Sequence, residues 1–192
     1  KSTLLNSLVG EKVAAVTDKP QTTRQRATGI YNDENFQIAF VDAPGFLLSP
    51  RGKMNEFLRK EFESVVKESD HHLLMLDAQL SRLGEFLEIF KLLGSWKKKF
   101  SLIISKADTV DSFERANIIM TLKEITHVEV PLTFISVKSA PEEAKASVLE
   151  LVSPYLMESG LSLREDDDAY TTQSMRDLAA EFVREKCFLK LN

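Results

Sequence analysis

Leu4, Leu5, Leu8 and Val9 recur three and four residues apart, which predicts a helix over Ser2–Val9 with one apolar face. The polar stretch from Thr17 to Arg26 breaks that period and reads as irregular. Alternating patterns then predict strands over Ala27–Tyr31 and Phe36–Val41, separated by the turn-forming run Asn32-Asp33-Glu34-Asn35. So short a connection requires an antiparallel pair. After a second irregular stretch, Gly45–Lys53, the spacing of Leu58, Phe62, Val65 and Val66 marks a helix over Met54–Lys67. Strand-like and helical patterns alternate from there on. Strands are expected at His71–Leu76, Phe100–Ile104 and Leu132–Ile135, and helices at Leu80–Leu93, Phe113–Ile125 and Pro141–Met157. Pro141 suits a first helical turn, where a missing N–H does no harm. The alternation predicts an α/β fold with a mostly parallel sheet, the hairpin being its antiparallel exception.

Residues 159–172 read as a linker and carry the acidic run Glu165-Asp166-Asp167-Asp168. A last helix, Gln173–Lys190, has an apolar stripe of Met175, Leu178, Ala179, Phe182 and Val183. Little of the chain remains for that stripe to pack on, so it is expected to open a second domain. The organisation predicted is thus a first domain over 1–158, a linker over 159–172 and the start of a second domain over 173–192.

Composition narrows the picture only a little. With 25 basic and 29 acidic residues the net charge is −4, which argues against the chain as a whole being a nucleic-acid-binding surface. The single cysteine, Cys187, leaves no internal disulfide partner and points to a reducing, cytoplasmic setting. No apolar run approaches the ~20 residues a membrane-spanning helix needs. His71-His72 have no third histidine or cysteine nearby and read as structural. Lys97-Lys98-Lys99 reads as a solvated turn, Trp96 as the junction of a helix and a strand, and Cys187 as a small apolar residue.

Four short segments carry chemistry. Lys1-Ser2-Thr3 opens a helix whose amide dipole favours phosphate; a lysine there can contact β- and γ-phosphates, and the next hydroxyl can coordinate Mg²⁺. Val41-Asp42-Ala43-Pro44-Gly45 follows a strand; Asp42 can hold a metal-bound water and the Gly45 amide can reach a γ-phosphate. Ser105-Lys106-Ala107-Asp108 follows another strand. An aspartate there accepts the N1 and N2 protons of guanine, which adenine lacks, while the lysine stem lies along the base plane. Ser136-Val137-Lys138-Ser139-Ala140 follows the last strand, and its backbone can approach the base carbonyl. Three of the four sit at a strand's end, where α/β sheets bind ligands. All four are expected along one rim of the sheet.

Lys19-Pro20-Gln21-Thr22-Thr23-Arg24, placed between a Lys-Ser-Thr-Leu-Leu-Asn helix and Asp-x-Pro-Gly, resembles the Era family of GTPases, and the resemblance runs over almost the whole chain. Gln173–Leu178 and Val183–Lys186 resemble the first helix of that family's C-terminal KH domain. The resemblance implies a P-loop GTPase domain that binds and hydrolyses GTP with Mg²⁺. It also implies a role in small ribosomal subunit assembly through small-subunit rRNA, and it admits a peripheral membrane contact. A strand and Gly-x-x-x-x-Gly are expected ahead of Lys1, and a KH Gly-x-x-Gly loop beyond Asn192. The implied catalytic residues are Lys1, Thr23 and Gly45, and the metal ligands are Ser2, Thr23 and Asp42. Thr23 is favoured over Thr22 as the switch threonine. The nucleotide site adds Thr3, Ala43, Pro44, Phe46, Ser105, Lys106, Asp108, Ser136 and Val137.

Two features bear on activity. Phe46 stands where Ras-like proteins place a water-orienting glutamine, which implies slow intrinsic hydrolysis. Ser105 stands where the guanine motif normally has asparagine; a shorter side chain with fewer donors forgoes one or two hydrogen bonds, roughly 1–3 kcal/mol. The competing readings are a nucleotide-binding switch or scaffold without efficient hydrolysis, and another translation-associated GTPase.

Overall fold

The computed structural model describes residues 1–16, 26–44, 53–157 and 170–190. Thr22, Thr23, Gly45, Phe46 and most of the expected linker lie outside those residues. The chain divides into two units, Lys1–Glu68 with Glu158–Asn192, and Ser69–Met157.

In the first unit α1 (Ser2–Val9) buries Leu4, Leu5, Leu8 and Val9, as their spacing predicts. It stops at Gly10, whose φ of 82° a side chain would resist, and the Gly10 N–H closes the helix on the Asn6 carbonyl at 2.9 Å. The Asn6 side chain then folds the following segment back: its Oδ1 accepts from the Val13 and Ala14 amides, and its Nδ2 donates to the Ala14 carbonyl. β1 (Ala27–Asn32) and β2 (Gln37–Asp42) pair antiparallel from Ala27–Asp42 to Asn32–Gln37. Asp33 sets the turn, its Oδ1 accepting from the Asn35 and Phe36 amides. α1 packs on both strands. α2 (Lys53–Glu68) buries Leu58, Phe62, Val65 and Val66.

The second unit is a run of βαβ connections. β3 (His72–Asp77), β4 (Phe100–Ser105) and β5 (Leu132–Phe134) form a parallel sheet in that order. α3 (Leu83–Ser95) and α4 (Ser112–Thr126) connect them, and α5 (Pro141–Val152) follows. The middle strand is buried from Ser101 to Ile104, as a parallel strand covered on both faces should be. Leu93 of α3 and Val148 of α5 complete this core. α4 starts on a capping box: the Asp111 side chain accepts from the Glu114 amide, and the Glu114 carboxylate accepts from the Asp111 amide.

The hairpin is antiparallel and the three later strands are parallel, as expected. Two expected helix ends are corrected. The helix expected from Leu80 starts at Leu83, because Leu80 has a left-handed backbone (φ 53°) and the Asp77 carboxylate takes the Ser81 amide into a turn. The helix expected to run to Met157 ends at Val152. Pro154 has no N–H to give the Glu150 carbonyl; the Ser153 hydroxyl supplies that bond, and Ser153–Tyr155 tightens into a 3-10 turn.

α6 (Met175–Lys190) begins two residues later than expected, after Ser174, whose hydroxyl accepts from the Asp177 amide. Residues leading into it lie along β1: the Ile30 amide donates to the Tyr170 carbonyl at 2.8 Å, and Thr171 bridges Gly29. On α6 Glu185 is 6% exposed as a residue, and its carboxylate meets Lys12 Nζ at 2.8 Å. Met175 and Val183 of the apolar stripe stay exposed.

Candidate functional site

The residues expected on the phosphate side belong to the first unit. The Lys1 carbonyl accepts from the Leu5 amide, so the lysine is the N-cap of α1 and its side chain stands at the positive end of the helix. Ser2 Oγ donates to Asp42 Oδ2 at 2.7 Å, although 40 residues separate them. Lys1 Nζ lies 3.5 Å from Asp42 Oδ1 and donates to the Ala43 carbonyl. Asp42 is 6% exposed, and its Oδ1 is buried without a hydrogen-bond donor. Such an oxygen is costly to leave unsatisfied, and it is a hard ligand suited to a divalent cation.

The structure thus brings Lys1, Ser2, Asp42 and Ala43 together. Thr3 is exposed on α1 and Pro44 is buried beside Ala43. Among the described residues no three His, Cys, Asp or Glu side chains cluster as a metal cage. Mg²⁺ needs none, since it takes one or two protein oxygens and completes its shell with phosphates and water. Ser2 and Asp42 fit that ion. Thr23, the third expected ligand, and Gly45, expected to be catalytic, lie outside the described residues.

The residues expected on the base side belong to the second unit, at the carboxyl ends of its strands. Ala107–Thr109 forms a 3-10 turn directly after β4. The Ala107 amide donates to the Ile135 carbonyl at 3.0 Å, joining this turn to the segment after β5. Arg115 of α4 donates from Nη2 to the Ala107 carbonyl at 2.8 Å while its guanidinium lies over the Phe134 ring. Asp108 projects from the turn, exposed, and accepts a hydrogen bond from the Ser136 hydroxyl. That bond is the main reason its carboxyl is held below the usual range. Ser139 Oγ donates to Ser136 Oγ at 2.7 Å, so the loop after β5 is itself tied. Val137 is half-buried in that loop.

Lys106 has a left-handed backbone (φ 58°), which costs on the order of 1–2 kcal/mol for a residue with a side chain. The Thr109 amide and hydroxyl both donate to its carbonyl and hold the conformation. The Ser105 hydroxyl donates to the Leu76 carbonyl at 3.2 Å, so it fastens the end of β4 to the end of β3.

Three supports escaped the sequence reading. Arg115 and Asn6 carry no local signal, because their partners are set by packing. Asp77, which pairs with Lys106, did carry one: it is a carboxylate at the end of an apolar strand, as Asp42 is.

Residues 1–106 match the family model described as 50S ribosome-binding GTPase. The chain belongs to that GTPase family. It is 35% identical to the GTPase Era of Chromobacterium violaceum over 98% of its length, and 37% identical to that of Alkaliphilus metalliredigens over 97%. It spans 62% and 61% of those two relatives. Among solved structures it resembles Era in complex with MgGDPNP and nucleotides 1506–1542 of 16S ribosomal RNA, with a TM-score of 0.87 and 26% identity over 100% of this chain and 63% of that one. No helix among the described residues is long and apolar enough to cross a membrane.

Proposed function

We propose that this chain is the nucleotide-binding part of an Era-type GTPase, which binds GTP and GDP with Mg²⁺, hydrolyses GTP and acts with small-subunit rRNA in ribosome assembly in the cytoplasm. The observation that carries the reading is the pair of oxygens formed by Ser2 and Asp42, with the Asp42 Oδ1 left without a donor. Mg²⁺, when bound, neutralises charge on the β- and γ-phosphate oxygens. Ser2 and Asp42 are the residues that would hold it, and Thr23 is the proposed third ligand. The Lys1 ammonium turns from Asp42 and the Ala43 carbonyl toward phosphate oxygens, which are stronger acceptors for a cation. The Gly45 amide is assigned to the γ-phosphate. Asp108 accepts from guanine N1 and N2, Lys106 lies along the base, and the loop at Ser136 and Val137 backs it.

Residues 1–158 form the GTPase domain in this reading and α6 opens a KH-type RNA-binding domain after the 159–172 linker. Nucleotide-binding titrations with the full-length protein test the proposal. GTP and GDP should bind well ahead of ATP and ADP, and GTP should bind more tightly when Mg²⁺ is supplied. Asp108→Asn, which presents a donor where guanine also donates, should abolish the preference. Equal affinity for guanine and adenine nucleotides overturns the assignment.

A further inference from the structure

Asp77 and Ser105 are register partners, the last residues of adjacent parallel strands β3 and β4. The two oxygens of Asp77 have different occupations. Oδ1 accepts the Ser81 amide at 2.9 Å, which fixes the carboxylate to the turn after β3. Oδ2 lies 3.6 Å from Lys106 Nζ. The carboxylate is mostly covered, whereas the lysine side chain is 64% exposed, so the fixed partner is Asp77 and the one being placed is Lys106. Burial alone would push the Asp77 carboxyl up; the Ser81 bonds and the Lys106 charge outweigh it and hold the group below the usual carboxylate range, ionised at neutral pH. Ser105 bonds to the Leu76 carbonyl, one residue before Asp77, and locks the same two strand ends together.

We propose that Asp77 is a positioning residue for guanine recognition: its carboxylate, anchored on the Ser81 amide, holds the Lys106 side chain where the lysine stem can lie along the base. The inference rests on the guanine assignment above. A lysine left alone samples many rotamers, and ordering it on the base opposes binding. An anchored carboxylate removes much of that penalty before the nucleotide arrives. Ser105 is engaged with the Leu76 carbonyl, and the charge that faces Lys106 is that of Asp77.

Asp77→Asn isolates the effect, because the amide oxygen can still accept the Ser81 N–H while the charge facing Lys106 is lost. In the full-length protein, affinity for GDP and GTP should fall equally, by about two- to fivefold, the range of a half-exposed ion pair. The loss should be independent of Mg²⁺ and should raise KM with kcat unchanged. In a Lys106→Ala background the same substitution should add nothing. Asp77→Ser, whose hydroxyl can also accept the Ser81 amide, should behave alike and serves if the asparagine variant folds poorly. Asp108→Asn is the control: if it leaves guanine preference intact, the guanine assignment fails. If that control behaves as expected but Asp77→Asn leaves affinity unchanged, or its effect adds fully to that of Lys106→Ala, Asp77 does not position the lysine.

Discussion

Asp108 is exposed, and the hydrogen bond from Ser136 is the largest of the causes that hold its carboxyl below the usual range. The proposed contact with guanine requires the ionised form, since only the carboxylate accepts two protons. With its carboxyl held below the usual range, binding is fully present above the ordinary aspartate pKa and is lost as pH falls through the lowered value. Ser136→Ala removes the largest cause of that lowering. GDP affinity of this variant, measured across the acid range with circular dichroism as the check on folding, should begin to fall at a higher pH than in the parent. An unchanged acid limb would show that the hydroxyl does not set the charge of Asp108. The departure from asparagine at Ser105 was visible in the chain, but its new partner, the Leu76 carbonyl, was not, because that bond depends on strand register. Asp42 was legible as a candidate ligand from its place after an apolar strand. That one of its oxygens would lie buried with no donor could only come from the packing around it.

At the scale of elements, the hairpin and α1 meet through Gly29. A Cβ built there would stand 2.5 Å from Val9 Cγ2 and 2.8 Å from Leu5 Cδ1. Val9 is β-branched and has little rotamer freedom in a helix, so it cannot easily step aside. Gly29→Ala should therefore destabilise the protein by about 1–3 kcal/mol, the usual range for overpacking a tight contact. Urea unfolding measures it, and an unchanged midpoint would mean that α1 can shift away from β1 without penalty. Most elements were readable from periodicity because helices and half-buried strands repeat over a few residues. The misread ends share a cause. Leu80 with its left-handed backbone, Pro154 with its missing N–H and Ser174 as a cap each act at one position, where a periodic pattern is silent.

At the scale of the whole molecule, Lys12 and Glu185 join the two chain segments of the first unit, α6 and the stretch after α1, across 173 residues. Glu185 also receives the Val16 amide at 3.5 Å, and Lys12 lies over the Phe182 ring. The two partners are unequally buried, Lys12 at 49% side-chain exposure and Glu185 at 8%. Removing the lysine leaves a covered carboxylate short of its charge partner; neutralising the glutamate leaves a lysine that water can solvate. Lys12→Met should cost about 1–2 kcal/mol, a figure reduced because Lys12 is half in solvent, and Glu185→Gln less than about 1 kcal/mol. Chemical denaturation of both variants tests the order, and a larger loss for Glu185→Gln would reverse the account.

The amino-acid order alone settled the succession of strands and helices, the turn at Asp33 and the residue types offered to phosphate, metal and base. These follow from periodicities and turn chemistry that act over a few neighbours. Folding in three dimensions decided that Ser2 meets Asp42, that Asp77 faces Lys106, that Gly29 admits no side chain and that Glu185 is covered. Each of these contacts joins residues far apart in the chain, and its geometry is set by how sheets and helices close on one another.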